Sequence, residues 1–280
     1  MLVISPWSKG GHVCSEVFDH TSVIRFLEQR FGVHEPNISA WRRAVCGDLT
    51  TCFDFANPNT DAFFQALPET TATAERARKL SGQPTPQPPA EITPPVQEKG
   101  QRPTRPLPYA FEANAATKPG FVVLDLANQS PETAVVFHIY DRLAPAAPPR
   151  RYTVKAGGQL TALIPAGETY DLWLYAPNGF HRRFSGKTAQ GVPAQWRGNS
   201  LTLTGEGQVV LRDEAYGQPE RTVTLTAGQA QTLPIDLTSQ WYDVSVSGDG
   251  FSHRFAGHVE TGKPSVTDPA LGGPAVMKLV

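Results

Sequence analysis

The sequence predicts a mainly β protein in which a short α/β piece precedes two tandem small antiparallel β-sandwiches. Three observations carry this prediction. Tyr-Asp, Gly-Phe and Arg-Phe-x-Gly each recur 71 to 72 positions later in the same order, which marks an internal duplication. Apolar and polar residues alternate with a period of two inside each copy. The 26 prolines and 24 glycines in 280 residues favour turn-rich sheet.

The bulk composition fits a folded protein and limits its partners. Hydrophobic residues make up 40% of the chain and charged residues 18%, a globular and not a disordered balance. A net charge of −1 leaves no basic field to hold nucleic acid. No run of eighteen apolar residues offers a transmembrane segment. Met1-Leu2-Val3-Ile4 lacks the basic start and long apolar core of a signal peptide.

In chain order, Leu2, Val3 and Ile4 read as a short buried strand, stopped by Ser5-Pro6. Gly10-Gly11 lets the following loop turn. Val23, Ile24, Phe26, Leu27 and Phe31 then share one helical face. Such a strand needs neighbours on both edges, and such a helix needs a sheet to cover. Nothing later in the chain supplies either. Residues 1–80 are therefore expected to be the closing part of a larger α/β domain, with complete modules after it. A second helix is expected from Ser39 to Cys46, capped by Ser39 and closed by Gly47, with Trp41 and Val45 on one face. Phe53, Phe55, Phe63 and Phe64 need a surface to cover. Cys46 and Cys52 fit no common zinc spacing; they are either a disulfide or, with Cys14, simple thiols, and the thiol reading weighs more.

Residues 81–108 are rich in Pro, Gln, Glu, Lys and Thr and read as an extended linker. The first sandwich is expected over 109–190 and the second over 191–266, each with about six short strands, and 267–280 as a tail. Tyr170, Leu172 and Leu174 alternate with Asp171, Trp173 and Tyr175, while Asn178-Gly179 and Asp249-Gly250 mark hairpin turns.

The strongest candidates for chemistry are Asp19 and His20, where a loop meets a helix. A carboxylate and an imidazole can ligate a divalent cation, or the imidazole can donate a proton to a leaving oxygen. The competing reading is an Asp that caps the helix, with a satisfied histidine beside it. Ser5 and His12 lie in the same loop region. His181, Arg182, Arg183, His253 and Arg254 follow the hairpin turns and suit an anionic head group or a polar sheet face. Trp173, Tyr175 and Trp241 suit a sugar or lipid platform or the filling of a core. There is no G-x-S-x-G, G-x-G-x-x-G, P-loop or H-E-x-x-H motif.

The run VISPWSKGGHVCSEVFDHTSVIRFLEQRFGV, then NISAWRRAVCGDLTTCFDF, then QEKGQRPTRPLPYAFEANA and the two repeats resemble the C-terminal part of bacterial phosphocholine-specific phospholipase C. That family lies in the acid-phosphatase-like branch of the alkaline phosphatase superfamily. The resemblance implies a remnant of an α/β phosphoesterase domain followed by two β domains. It implies hydrolysis of phosphatidylcholine or sphingomyelin to phosphocholine, a divalent metal ion, a phosphoenzyme intermediate and a secreted or periplasmic location. On the FDHTS motif it implies Asp19 as a metal ligand and His20 as a catalytic residue, either a ligand or a phosphate contact. The family's Glu-Asn metal motif, nucleophile and acidic-histidine motif have no counterpart here, so the isolated chain is expected to be inactive. The alternative is a non-catalytic β-sandwich module that binds lipid head groups or a partner protein.

Overall fold

Seven strands form in the first repeat: β2 (Phe111–Lys118), β3 (Phe121–Asn128), β4 (Val135–Asp141), β5 (Arg150–Val154), β6 (Gly158–Pro165), β7 (Thr169–Tyr175) and β8 (His181–Lys187). They follow a two-residue strand, β1 (Pro103–Thr104). The second repeat forms β9 (Ala194–Arg197), β10 (Ser200–Leu203), β11 (Gly207–Asp213), β12 (Arg221–Leu225), β13 (Gln231–Pro234), β14 (Trp241–Gly248) and β15 (Phe251–His258), followed by β16 (Ser265–Val266). The computed structural model describes residues 1–8, 10–58, 69–88, 90–91, 99–190 and 193–271.

Both repeats have the same topology. A three-stranded sheet (β2-β3-β6, and β13-β10-β9) faces four strands (β5-β4-β7-β8, and β12-β11-β14-β15). This is a seven-stranded immunoglobulin-like sandwich, one strand more than the six expected in each copy. The mainly β class is as the sequence predicts.

The sandwiches are not separate beads. Last strand pairs with last strand, β8 with β15, and merges both four-stranded layers into one eight-stranded sheet. In that pairing Arg183 lies opposite Arg254, Phe184 opposite His253 and Arg182 opposite Phe255. Arg183 and Arg254 are the same position of the duplicated motif, so a local two-fold axis passes between them. One continuous core spans both repeats, from Phe137 and Leu174 through Phe184 and Phe255 to Trp196 and Leu211. The pairing also removes two exposed sheet edges, which would otherwise invite association.

The recurring residues all serve this junction. Tyr170 lies across the strand from Gly186, and Tyr242 from Gly257. A Cβ at Gly186 would sit 3.0 Å from the Tyr170 hydroxyl, and one at Gly257 2.9 Å from the Tyr242 hydroxyl. Only glycine lets the tyrosine lie flat there. On the outer face Asp171 accepts from Arg183 at 3.0 and 2.9 Å, and Asp243 from Arg254 at 2.7 and 2.5 Å. On the inner face the copies exchange partners. Arg182 Nη2 donates to the Tyr242 hydroxyl of the other repeat at 2.9 Å, and His253 Nε2 lies 3.3 Å from the Tyr170 hydroxyl.

Arg182 is fully buried, and among the described residues no carboxylate pairs with it. Its guanidinium also donates to the carbonyls of His181 and Ala256, at 2.9 and 2.8 Å. It sits 4.0 Å from the Phe180 ring centre and within 5.4 to 5.6 Å of those of Phe255, Tyr242 and Trp196. A cage of aromatic faces thus offsets the cost of burying the charge.

The amino-terminal segment departs further from expectation. No strand forms over Leu2–Ile4; Leu2 and Ile4 are more than four-fifths exposed. Its apolar residues find no strand to pair with among the described residues, and a lone extended segment has no ladder to hold it. Helix α1 (His20–Phe31) does form, closed by Gly32 at φ 66°. Its apolar residues Val23, Ile24, Leu27 and Phe31 remain exposed. Helix α2 (Ala40–Val45) is capped by Ser39, whose side chain accepts from the Arg42 amide. Gly47 does not close α2 in a left-handed turn; Cys46 ends it. At Gly47 a Cβ would fall on the Glu16 carboxylate, the mobile end of a side chain that would have to swing aside. A further helix, α3, spans Thr71–Arg78 and is exposed throughout.

Phe53 stacks between Phe26 and Phe55, at 5.2 and 5.1 Å, and Trp7 caps the row 6.0 Å from Phe55. Phe63 and Phe64 lie outside the described residues. Cys46 and Cys52 form no disulfide; all three cysteines are free, because α2 carries Cys46 to a small cluster with Val45 and Ala134. The Pro-rich stretch is extended only in part. Its end folds into the module: β1 pairs with β16, and Arg105, Leu107 and Tyr109 are buried.

Candidate functional site

Asp19 and His20 open α1. Asp19 is the N-cap: Oδ1 accepts from the Thr21 amide at 2.8 Å and from its hydroxyl at 2.6 Å. The Asp19 amide in turn donates to Ser22 Oγ at 3.1 Å, completing a capping box. Oδ2 pairs with the Arg42 guanidinium from α2. Burial would raise the Asp19 pKa, but the bonds from Thr21 and Arg42 outweigh it and hold the carboxyl below its usual range. His20 is exposed on the first turn. The structure therefore realises the capping role of Asp19 in full.

A metal ion needs several converging donors. No group of three His, Cys, Asp or Glu side chains is placed to hold one among the described residues. Both oxygens of Asp19 are engaged, and His20 points into solvent. The donors present do not make a metal site by themselves.

The remaining loop candidates separate. Ser5 Oγ accepts from the Trp7 amide at 3.2 Å, a local turn bond. Ser5 and His12 line a cavity of about 380 Å³ with Cys14, Cys52 and Arg105. Behind it lies a group the sequence did not reveal. Glu16, pushed up to about 7 by burial, accepts from the Thr51 hydroxyl. Thr51 Oγ1 is also 3.5 Å from Cys14 Sγ. The hydrogen bond from Cys52 brings the Cys14 thiol down to about 6 and, conversely, raises that of Cys52. Periodicity gave no signal for this cluster, because its members lie in loops.

Of the five residues suggested for an anionic head group, His181, Arg183 and Arg254 line one open cavity of about 520 Å³ with Trp173, Tyr175 and Trp241, and the other two do not. Arg182 and His253 point into the core, and burial takes His253 down to about 3. Arg183 and Arg254 lie on the outer face, each held by its own aspartate. His181 stacks on Tyr175 at 4.8 Å, and burial lowers it to about 4. Trp173 and Tyr175 share that outer face with Tyr140, and Arg142 lies 4.2 Å above Trp173. Trp241 is used structurally: its Nε1 donates to the Val266 carbonyl at 2.9 Å and its ring meets His258 at 4.7 Å.

A Ser–His–Glu array was also missed. Ser265 Oγ lies 3.2 Å from His258 Nε2, and His258 Nδ1 lies 2.8 Å from Glu260 Oε1. The order resembles a nucleophile, base and orienting acid. Two features make it a structural clasp instead. Ser265 Oγ also contacts Gln240 Oε1 at 2.8 Å and the Ser239 carbonyl at 3.2 Å, and it does not line the adjoining cavity. Glu260 is further held by Asn178 and the Leu107 amide, at 2.9 and 3.1 Å.

Comparison with known proteins decides the family. The model of the bacterial phospholipase C C-terminal domain matches residues 103–187 and 199–258, the spans of the two repeats and more than half of the chain. The chain belongs to the bacterial phospholipase C family. The phosphoesterase family matches residues 1–34, which include the Asp19–His20 turn. The non-hemolytic phospholipase C of Pseudomonas aeruginosa is 43% identical over 97% of this chain and 43% of its own length. That of Burkholderia pseudomallei is 40% identical over 97% of this chain and 42% of its own length. The hemolytic phospholipase C of P. aeruginosa is 36% identical, again over 97% of this chain and 44% of its own length. The chain spans less than half the length of these curated relatives. A non-catalytic binding module is not favoured by these matches. No helix among the described residues is long and apolar enough to cross a membrane.

Proposed function

We propose that this chain supplies the C-terminal part of a phospholipase C that hydrolyses phosphatidylcholine or sphingomyelin to phosphocholine and a lipid alcohol. The observation that carries the reading is the likeness to phospholipases C along 97% of the chain, from the FDHTS turn through both repeats. An exported, secreted or periplasmic setting accords with it. A divalent metal would supply Lewis-acid stabilisation of the phosphoryl oxygens. The donors in this chain do not hold one alone, so no step is assigned to it.

Within this reading Asp19 is one donor of a site completed by other parts of the enzyme, and it exchanges Arg42 for the metal. His20, exposed at the start of α1, contacts a phosphoryl oxygen there, where the helix terminus favours negative charge. The β module forms the platform to which this turn is fastened. Val17 N donates to the Tyr109 hydroxyl at 2.9 Å, and Ala134 N to the Ala44 carbonyl at 2.8 Å.

The test is release of phosphocholine from phosphatidylcholine vesicles with added divalent metals. The 280-residue chain alone should not exceed a metal-only blank. Joined to the amino-terminal part of the P. aeruginosa non-hemolytic enzyme it should turn over, and Asp19→Ala should lower that rate by about a hundredfold or more. An unchanged rate would remove Asp19 from the site, and no turnover by the joined chain would overturn the reading.

A further inference from the structure

Cys14 and Cys52 come from separate loops, yet they line the same cavity and Cys14 Sγ lies 3.5 Å from the hydroxyl of Thr51, the residue next to Cys52. Both carriers are anchored. The residue before Cys14, Val13, is bonded on both sides to the end of the linker: its amide donates to the Pro103 carbonyl and its carbonyl accepts from Arg105 N, each at 2.9 Å. Cys52 ends a 3-10 turn, Thr50–Cys52, and the next residue is Phe53 of the stacked aromatic row. Thr51 bridges the two loops, its hydroxyl reaching Cys14 and Glu16. Both thiols are half-buried and line the 380 Å³ cavity, so a small reagent can reach them. Cys46 is buried elsewhere, against Val45 and Ala134.

We propose that Cys14 and Cys52 are a disulfide-forming pair, closed by exchange with a small-molecule disulfide of the glutathione type. Cys14 is the attacking thiolate, favoured by the neighbouring Cys52, by the Thr51 hydroxyl and by the nearby Arg105. It attacks one sulfur of the oxidant and expels one thiolate, which leaves a mixed disulfide on Cys14. Capping removes the negative charge that kept Cys52 protonated. Cys52 then loses its proton to solvent, attacks Cys14 Sγ and expels the second thiolate. Two protein thiols are oxidised and one disulfide is reduced to two thiols. The bond ties the loop leading into the Asp19–His20 turn to the far side of α1 and α2. An oxidising compartment would complete it.

The test uses the whole 280-residue chain equilibrated in a mixture of oxidised and reduced glutathione, then acid-quenched, unfolded, alkylated and mapped by mass spectrometry. The expected product has one alkylated cysteine, Cys46, and a Cys14–Cys52 peptide pair lighter by two hydrogens than its reduced parts. Its thermal midpoint should rise and return on addition of dithiothreitol. Cys46→Ser should form the same link. Three alkylated cysteines, a lasting glutathione adduct on Cys14, or a link to Cys46 would each overturn the proposal. The mapping of the unsubstituted chain needs no variant to fold.

Discussion

The two repeats and the amino-terminal segment treat apolar surface in opposite ways. In the repeats, Phe137, Leu174, Phe184 and Phe255 are fully enclosed in one core, and even the charged Arg182 is buried, its two terminal nitrogens bonded while Nε finds no partner among the described residues. In the segment, α1 leaves Val23, Ile24, Leu27 and Phe31 in solvent, Phe31 by 65%. The segment is held to the module by a small cluster of Val45 and Cys46 against Ala134 and by a few bonds, among them those of Val13, Val17 and Ala44 and that of Trp41 Nε1 to the Thr153 hydroxyl at 3.0 Å. The difference teaches that cohesion is concentrated in one part of the chain. The β module carries the cohesion, while the turn bearing Asp19 and His20 is an attachment to it.

That contrast can be broken most sharply at Arg182. Replacing Arg182 by Ala empties an aromatic cage and leaves Tyr242 and two carbonyls without their donor. A loss of about 3–5 kcal/mol is expected from the urea midpoint of the chain. His253→Ala, at the equivalent place, should cost less, because a neutral imidazole gives up one weak bond.

Acid provides the next test. Burial holds the folded His253 near 3 and His181 near 4, below the ordinary value of 6.5. The unfolded chain therefore binds more protons between those limits. The stabilising contribution is present above about pH 6.5 and is lost as pH falls through that window, by at most about 1.4 kcal/mol per pH unit for each group. His253→Gln should flatten the urea midpoint against pH; an unchanged slope would show that His253 charges freely in the fold.

Smaller effects belong to the attachment. Tyr109→Phe removes the acceptor for the Val17 amide. It should cost about 1 kcal/mol, seen as faster hydrogen exchange of that amide while the core of the repeats stays protected. Leu27→Ser, on the exposed face of α1, should change stability by less than about 0.5 kcal/mol in this chain. A larger loss in a protein where that face is covered would sharpen the comparison.

The sequence reveals some of these features and conceals others for physical reasons. Alternation at Tyr170–Tyr175 and the recurring Tyr-Asp and Arg-Phe-x-Gly are local signals, so the sandwiches are readable. The β8–β15 junction is not, because nothing in either copy says which edge it will present. Leu2-Val3-Ile4 has strand-like composition, but pairing partners decide strands. Arg182 lies in the polar run His-Arg-Arg, which gives no hint that its middle residue is buried. Asp19 is readable through the motif that contains it, and its capping geometry is consistent with the simplest local reading. The Cys14–Cys52 contact depends on how two loops fold back, and no spacing rule encodes that.

The dyad between Arg183 and Arg254 has an arithmetic consequence. Copies arranged head to tail can be extended indefinitely by further duplication, since each new unit offers a fresh edge. Here each copy spends its terminal strand on its twin, and the sum stops at two. A third copy appended to such a gene would find no vacancy at the seam, and would have to dock by some other surface or remain a separate bead.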